Sequence, residues 1–277
     1  MTGDPELVVL GVTQDGGFPQ AGCVRPCCAP AWTSGARARV ACLGVRDGDH
    51  RFLVDCTPDL PSQLRDVGGP PLHGILLTHA HSGHYTGLLH LGPEAWCPQQ
   101  VPVFAMPGMT AFLRDNAPWC ALETDGQVKL LPLVDGEPVP LGPRTTATPR
   151  RVSHRGPWSE TVAFELAGPS RRALYLPDID RWDDEVDPAE WIARVDRAYL
   201  DATFFSPGEI PWRGQVAHPF VEDTIARLRG LPARERAKVA FVHLNHTNPL
   251  LDPRSEEWAR VAEAGMTVAQ DGERFSL

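Results

Sequence analysis

Three histidines lie within six residues of the chain, at positions 79, 81 and 84. Histidine is the commonest side chain among metal ligands. The apolar residues before them predict a buried strand, and the apolar run at 85–91 predicts the start of a helix. Ala80 is small, and we expect Gly83 to let the loop bend a second time. The segment therefore predicts a metal site on a loop between a strand and a helix, whereas a lone histidine would suit a solvated loop.

Further metal-binding residue types occur where other predicted strands end. The residues that directly follow predicted strands are His79, His154, Asp178 and His243. In layered α/β folds, ligands bind beyond the carboxyl ends of the strands. Imidazole and carboxylate groups suit Zn²⁺, and less commonly Fe²⁺ or Mn²⁺. We therefore predict that these residues and the histidine loop form one metal centre.

Strand and helix patterns alternate in both halves of the chain, which predicts two sheets packed together with helices outside. We expect a single domain over residues 1–277, with a small cysteine-cluster loop at about 14–32. Pro26 and Pro30 within that loop predict that it contains no helix.

The composition is that of an ordinary globular protein, with 277 residues, 42% hydrophobic and 22% charged. The net charge of −9 and the lack of a long basic run argue against a nucleic-acid partner. A small anionic substrate is compatible with that charge, because a bound metal reverses the local field. No apolar stretch approaches membrane-spanning length, and the first residues lack a basic signal-peptide region. We expect a cytoplasmic protein with a small-molecule substrate, no membrane partner and, if it assembles, a homodimer.

The motif T-H-A-H-S-G-H at 78–84 resembles the H-x-H-x-D-H signature of the metallo-β-lactamase superfamily, with Gly83 in place of the family's Asp. Within it, GGFPQ at 16–20, the cysteines that follow and HLNHTNPLLD at 243–252 are similar to the pyrroloquinoline quinone biosynthesis protein B branch. The cyclic-phosphate phosphodiesterase of phosphonate breakdown is a second relative. The resemblance runs nearly end to end and implies the superfamily's αββα sandwich.

The resemblance also implies two metal sites. The first comprises His79, His81 and His154, the second His84 and His243, and Asp178 bridges the two ions. Because Gly83 offers no side-chain ligand, we expect the second ion to bind more weakly, so either one or two ions are compatible with the sequence. If Gly83 has an ordinary φ, Gly83→Asp is expected to raise the occupancy of the second ion. Asp55 would support the histidine loop, although it also suits a simple turn.

The implied activity is that of a metal-dependent hydrolase, in which a metal-bound hydroxide attacks a phosphodiester, lactone or amide. Asp178 and His218 are the candidate catalytic residues, His218 as proton donor, and Asp201 is a candidate supporting residue of the site. A structural surface histidine is the alternative for His218. Two other functions stay open: an iron-dependent oxygenase acting on a quinone-cofactor precursor at the position that Gly83 leaves open, and a non-catalytic carrier or sensor of such a precursor.

A separate structural zinc is implied by the phosphodiesterase branch, whose C-x-C-x-x-C cysteines bind it with a histidine near the last active-site ligand. The corresponding residues are Cys23, Cys27, Cys28 and His246. Here the spacing is C-x-x-x-C-C, with Arg25 at the middle position and Cys27 as its substitute. Three thiolates and one imidazole would close a tetrahedral site, and buried or spare thiols are the alternative. We expect the scattered cysteines, at 42, 56, 97 and 120, to lie in the core.

Overall fold

The computed structural model describes residues 4–156, 158–183, 187–210 and 216–277. Within these ranges, the strands are β1 (Glu6–Gly11), β2 (Cys42–Asp47), β3 (His50–Val54), β4 (Gly74–Leu76), β5 (Val101–Ala105), β6 (Val128–Pro132), β7 (Val139–Pro140), β8 (Thr146–Val152), β9 (Thr161–Ala167), β10 (Arg172–Leu176), β11 (Arg197–Asp201), β12 (Val239–Val242), β13 (Thr267–Val268) and β14 (Arg274–Ser276). The α-helices are α1 (Ala29–Ser34), α2 (Leu60–Asp66), α3 (Ser82–Tyr85), α4 (Pro107–Asp115), α5 (Trp119–Thr124), α6 (Pro188–Ala193), α7 (Val221–Leu228), α8 (Ala233–Arg236) and α9 (Glu256–Glu263).

The strands form two mixed sheets, which in the described residues have seven strands each. The first has the order β14-β1-β2-β3-β4-β5-β6, antiparallel from β14 to β3 and parallel from β3 to β6. The second has the order β13-β12-β11-β10-β9-β8-β7, parallel from β13 to β10 and antiparallel beyond. Strand β14 crosses back to pair with β1, so the first sheet is completed by the C-terminal part of the chain, whereas the second consists of consecutive strands.

Apolar side chains lie on both faces of each sheet, because successive side chains along a strand point to opposite faces. This produces three hydrophobic layers, one between the sheets and one on the outer face of each sheet. In β1, Leu7 and Val9 pack between the sheets, while Val8 and Leu10 face the helices on the outer side. The second sheet is built in the same way: Tyr175 faces the inner core, and Leu174 and Leu176 face outward. This arrangement confirms the predicted αββα sandwich.

Two predictions about local structure were wrong. Residues 85–91 do not begin a regular helix: α3 ends at Tyr85, and Thr86–Leu91 form a 3₁₀ helix. The cysteine segment does contain a helix, α1, because Pro30 lies in its first turn, where a missing N–H removes no intrahelical bond. In the described part of the chain, no helix is long and apolar enough to cross a membrane.

The carboxyl ends of the central strands position the residues singled out in the sequence. Asp55 follows β3, Asp178 lies two residues after β10, Asp201 ends β11, and His243 follows β12. Asp55 and His243 are fully buried and adopt left-handed backbone conformations, with φ of 71° and 68°. Asp and His tolerate this region better than most residues, and such strain concentrates at functional sites. The turn it creates directs both side chains back across the strand ends.

Candidate metal centre

The first predicted ligand group converges on one point. The Nδ1 atom of His81 lies 2.9 Å from Nε2 of His79 and 3.2 Å from Nε2 of His154. The Asp178 carboxylate is adjacent, with one oxygen 3.5 Å from His154 Nε2 and the other 3.8 Å from His79 Nε2. One ligand atom from each of the four side chains lies within 4.8 Å of the others. Separations of this size allow all four atoms to contact a single ion.

The second group shares the other side of the same carboxylate. Oδ2 of Asp178 lies 3.1 Å from His84 Nε2 and 3.2 Å from His243 Nε2. All three atoms are buried, and none has a hydrogen-bond partner in the described structure. A buried polar atom without a partner is costly unless a ligand satisfies it. These residues therefore fit a bound cation, and Asp178 faces both groups as a bridging ligand would. The six residues, His79, His81, His84, His154, Asp178 and His243, are called the strand-end centre below.

On the first sheet, one aspartate and one threonine hold the histidine loop. Asp55 accepts hydrogen bonds from Nδ1 of His84 at 2.7 Å and from the Thr78 hydroxyl at 2.8 Å. The Thr78 hydroxyl in turn contacts Nδ1 of His79 at 3.0 Å. Because the Nδ1 atoms are engaged in this way, the Nε2 atoms are presented to the centre. These hydrogen bonds indicate that Asp55 supports the histidine loop. A turn-forming role alone would explain its backbone conformation but not its side-chain contacts.

The second sheet repeats the arrangement. Asp201 accepts a hydrogen bond from the Thr203 hydroxyl at 2.8 Å, and that hydroxyl contacts Nδ1 of His243 at 2.9 Å. The other oxygen of Asp201 lies 2.8 Å from Nδ1 of His218. His218 therefore belongs to the site and is not an isolated surface histidine. Its ring is close enough to Asp178 and His243 to form a further group of metal-binding types.

The charges of the centre set the protonation of its members. Burial, together with His84, holds the pKa of His79 well below its ordinary value. Burial disfavours the Asp178 carboxylate, yet the neighbouring His243 and His79 hold its pKa well below the usual range. Burial also opposes charge on His84, but Asp55 and Asp178 raise its pKa well above the ordinary value. Binding of an ion at His84 would therefore release a proton.

His218 stands between the metal-binding residues and the solvent. It lines a cavity of about 550 Å³ with His81, His154 and Trp158, and an adjoining one of about 710 Å³. Burial alone would lower the pKa of His218, but Asp201 raises it to about 9. Volumes of this size hold small molecules.

Several residues that shape the centre were not predicted from the sequence. Besides Thr78 and Thr203, Asp180 places a carboxylate oxygen 3.2 Å from Nδ1 of His154. Asp15, in the loop after β1, has an oxygen within 4.8 Å of ligand atoms of His84 and His243. The short spacing of Asp201 and Thr203 is the one local signal that could have suggested such a pair.

The backbone expectation for Gly83 was wrong. Gly83 lies inside α3 and has no need of a positive φ. A Cβ atom at this position would lie 2.2 Å from Oδ1 and 2.6 Å from Cα of Asp15, a separation that real Cβ atoms do not tolerate. Glycine is required here because another part of the chain approaches. We therefore no longer expect Gly83→Asp to raise the occupancy of the second ion, since the new side chain would collide with Asp15.

The predicted structural-zinc residues also come together. The Sγ atoms of Cys23 and Cys27 are 3.7 Å apart, and ligand atoms of Cys23, Cys27, Cys28 and His246 all lie within 4.8 Å of one another. These four residues are called the cysteine centre below. Nη2 of Arg25 lies 2.9 Å from Nε2 of His246, so a metal ion would have to displace this guanidinium.

The thiols of the cysteine centre differ in acidity. Burial would raise the pKa of Cys23, but hydrogen bonds from Arg25 bring it down to about 7. Burial raises the pKa of Cys28 to about 11. Of the other cysteines, Cys42 and Cys56 are buried as predicted, whereas Cys97 is exposed and Cys120 half-buried.

Comparison with known proteins identifies the family to which the chain is similar. The family described as Beta-lactamase superfamily domain matches residues 50–244. Coenzyme PQQ synthesis protein B of Gluconobacter oxydans is 28% identical over 98% of both chains, and that of Methylorubrum extorquens strain AM1 is 26% identical over 98% of this chain and 99% of its own.

Two solved structures share the fold over nearly the whole chain. Zn²⁺-bound PqqB from Methylobacterium extorquens superposes with a TM-score of 0.84 at 25% identity, covering 98% of this chain and all of the other. A diphosphatase of the PhnP family has a TM-score of 0.73 at 23% identity, covering 100% of this chain and 98% of its own. The family match spans well over half of the chain and contains the histidine loop, Asp178 and His243. The chain therefore belongs to the β-lactamase superfamily and has its metallo-β-lactamase fold.

Proposed function

We propose that the protein is a metal-dependent hydrolase of a small molecule. The observation that carries the proposal is the convergence of buried, partnerless ligand atoms of His84, His243 and Asp178 beside a second, complete group of ligands. If these residues held a divalent ion, it would lower the pKa of a bound water toward neutrality and polarise the substrate oxygen that gains charge. The ligand types suit zinc, with iron and manganese as other candidates.

The residues around the centre suit hydrolysis in two ways. The Nδ1 atom of His218 is engaged by Asp201 and Thr203, which leaves Nε2 as the nitrogen that could donate a proton to a leaving group. Arg155 lines both cavities, and Trp158, with 59% of its surface exposed, lies at the rim. A guanidinium and an indole face would recognise an anionic substrate that carries a ring.

A second candidate is favoured by the relatives, which are named for the synthesis of coenzyme PQQ and match this chain over nearly its whole length. On that basis, the substrate would be a precursor of a quinone cofactor. The oxygenase version of this role depended on an open position next to Gly83. Asp15 lies at that position, and the geometry therefore favours hydrolysis.

The test is a substrate panel on metal-free protein that has been reloaded with zinc, manganese or iron. Phosphodiesters, lactones and amides are compared at equal concentration, with oxygen uptake followed in parallel. We expect turnover of one bond class that depends on added metal. Metal-dependent oxygen uptake without hydrolysis would support the oxygenase instead. A folded, metal-loaded protein that turns over no substrate, yet binds a quinone precursor, would indicate a carrier.

A further inference from the structure

We propose that Asp15 is a ligand of the second ion and replaces the carboxylate that Gly83 cannot supply. The inference rests on the proposed metal-dependent function and names a residue that the family signature does not contain. In that signature, the aspartate precedes the third histidine by one position. Here the carboxylate would come from a loop 68 residues earlier in the chain.

The backbone holds Asp15 beside the second ligand group. Leu244, next to His243, donates its N–H to the carbonyl of Val12 at 2.8 Å, and its carbonyl accepts from the N–H of Gln14 at 2.9 Å. A turn follows, in which the N–H of Gly17 donates to the carbonyl of Gln14 at 2.8 Å. Asp15 lies inside this turn, and its loop is therefore fixed to the segment that carries His243.

The Asp15 side chain points toward the other members of the group. Its Oδ1 atom is 3.5 Å from Nε2 of His84 and belongs to one cluster with ligand atoms of His84 and His243. The group of Asp15, His84 and His243 therefore offers one carboxylate oxygen and two imidazole nitrogens, and Oδ2 of Asp178 lies beside the same two imidazoles. Affinity for a divalent ion rises with the number and charge of such ligands.

Asp15 excludes a side chain from position 83. The Cβ of a side chain at position 83 would overlap both Oδ1 and Cα of Asp15. Since α3 needs no positive φ at Gly83, the close approach of Asp15 is what demands a glycine there. The loss of the family's aspartate and the presence of Asp15 are thus two parts of one rearrangement.

A purely structural role for Asp15 has to be separated from ligation. Oδ1 also accepts a hydrogen bond from the N–H of Gly83 at 2.8 Å, near the start of α3. Asp15→Asn keeps an oxygen acceptor for this N–H but removes the negative charge. If Asp15 only accepts the hydrogen bond from Gly83, metal binding should be unchanged in Asp15→Asn. If Asp15 binds the ion, the loss of its charge should lower the affinity for that ion.

The experiment measures metal content and zinc affinity of the full chain, with Asp115→Asn, an exposed carboxylate at the end of α4, as the matched control. Asp15→Asn should contain about one ion fewer per chain than the unmodified protein, or bind the second ion at least about tenfold more weakly. The control should retain all ions. Because the difference between proteins is measured, zinc at the cysteine centre does not affect the result.

A reciprocal exchange tests the rearrangement itself. Gly83→Asp alone should lower occupancy of the second ion and the melting temperature, because two side chains compete for one space. Asp15→Gly combined with Gly83→Asp should recover much of the lost ion. Unchanged metal content and affinity in Asp15→Asn would overturn the Asp15 assignment while leaving the proposed function intact. An unmodified protein that binds no ion at the strand-end centre would overturn both.

Discussion

The two candidate metal centres differ in how their ligands are held. In the strand-end centre, ligands follow strands of both sheets, and Asp55 and Asp201 orient them through buried hydrogen bonds. In the cysteine centre, the three cysteines lie in the loop before α1, the histidine lies in the segment after β12, and the Arg25 guanidinium contacts His246. The fold therefore holds the first centre in place through these hydrogen bonds. We expect the second to depend more on a bound ion for its geometry.

This difference predicts that the loss of an ion has different consequences at the two centres. Loss of an ion from the strand-end centre should remove activity and leave the sandwich folded, since the three hydrophobic layers do not depend on the histidine loop. Loss of an ion from the cysteine centre should release the N-terminal segment and lower stability, because a structural zinc contributes folding free energy.

The largest expected effect is on activity, in His79→Ala. This change removes one of the ligands that converge on His81, so the first ion is poorly held. Turnover should fall on the order of 10³-fold or more, because a metal ion contributes several kcal/mol of transition-state stabilisation. The measurement is steady-state turnover on the substrate found in the panel, with circular dichroism to verify folding. Full activity in metal-stripped His79→Ala would contradict the hydrolase proposal.

A stability effect is expected in Cys28→Ser. Removal of this buried thiolate should release about one zinc per chain. The melting temperature should fall by roughly 10 °C, from several kcal/mol of metal-binding free energy. Cys97→Ser is the matched control, because Cys97 is exposed and lies outside the cluster. If Cys28→Ser retains its zinc content by elemental analysis, the cysteine centre is not a zinc site.

A smaller effect is expected in Asp55→Asn, which tests the preorganisation of the strand-end centre. The amide can still accept from Thr78 but no longer supplies a charge to Nδ1 of His84. Affinity for the second ion should fall about 10–100-fold, the usual cost of losing such a partner.

Asp201→Asn offers a comparison within the same centre. Asp201 reaches His243 only through the Thr203 hydroxyl, so its loss should weaken the second ion less than that of Asp55. Titration calorimetry of both variants measures the difference. Equal affinities in both variants and the unmodified protein would show that the hydrogen bonds beneath the histidines are not needed to hold the ion.

The sequence by itself determined the ligand types and their places at strand ends. Apolar runs whose lengths and flanking residues indicate strands come before His79, His154, Asp178 and His243. Because ligands in layered α/β folds bind beyond the carboxyl ends of the strands, these positions predict a shared site. The histidine spacing and the cysteine cluster were likewise readable, since each is a short local motif.

Only the tertiary structure decided how the second ligand group is completed. Asp15 and Gly83 are far apart in the chain but are joined by a hydrogen bond, and backbone hydrogen bonds hold the loop after β1 against the segment after β12. Read locally, Gly83 suggested a flexible bend, whereas in the fold it is a helical residue that makes space for a carboxylate. No local pattern shows this, because the atoms that exclude a side chain at Gly83 belong to a residue far away in the sequence.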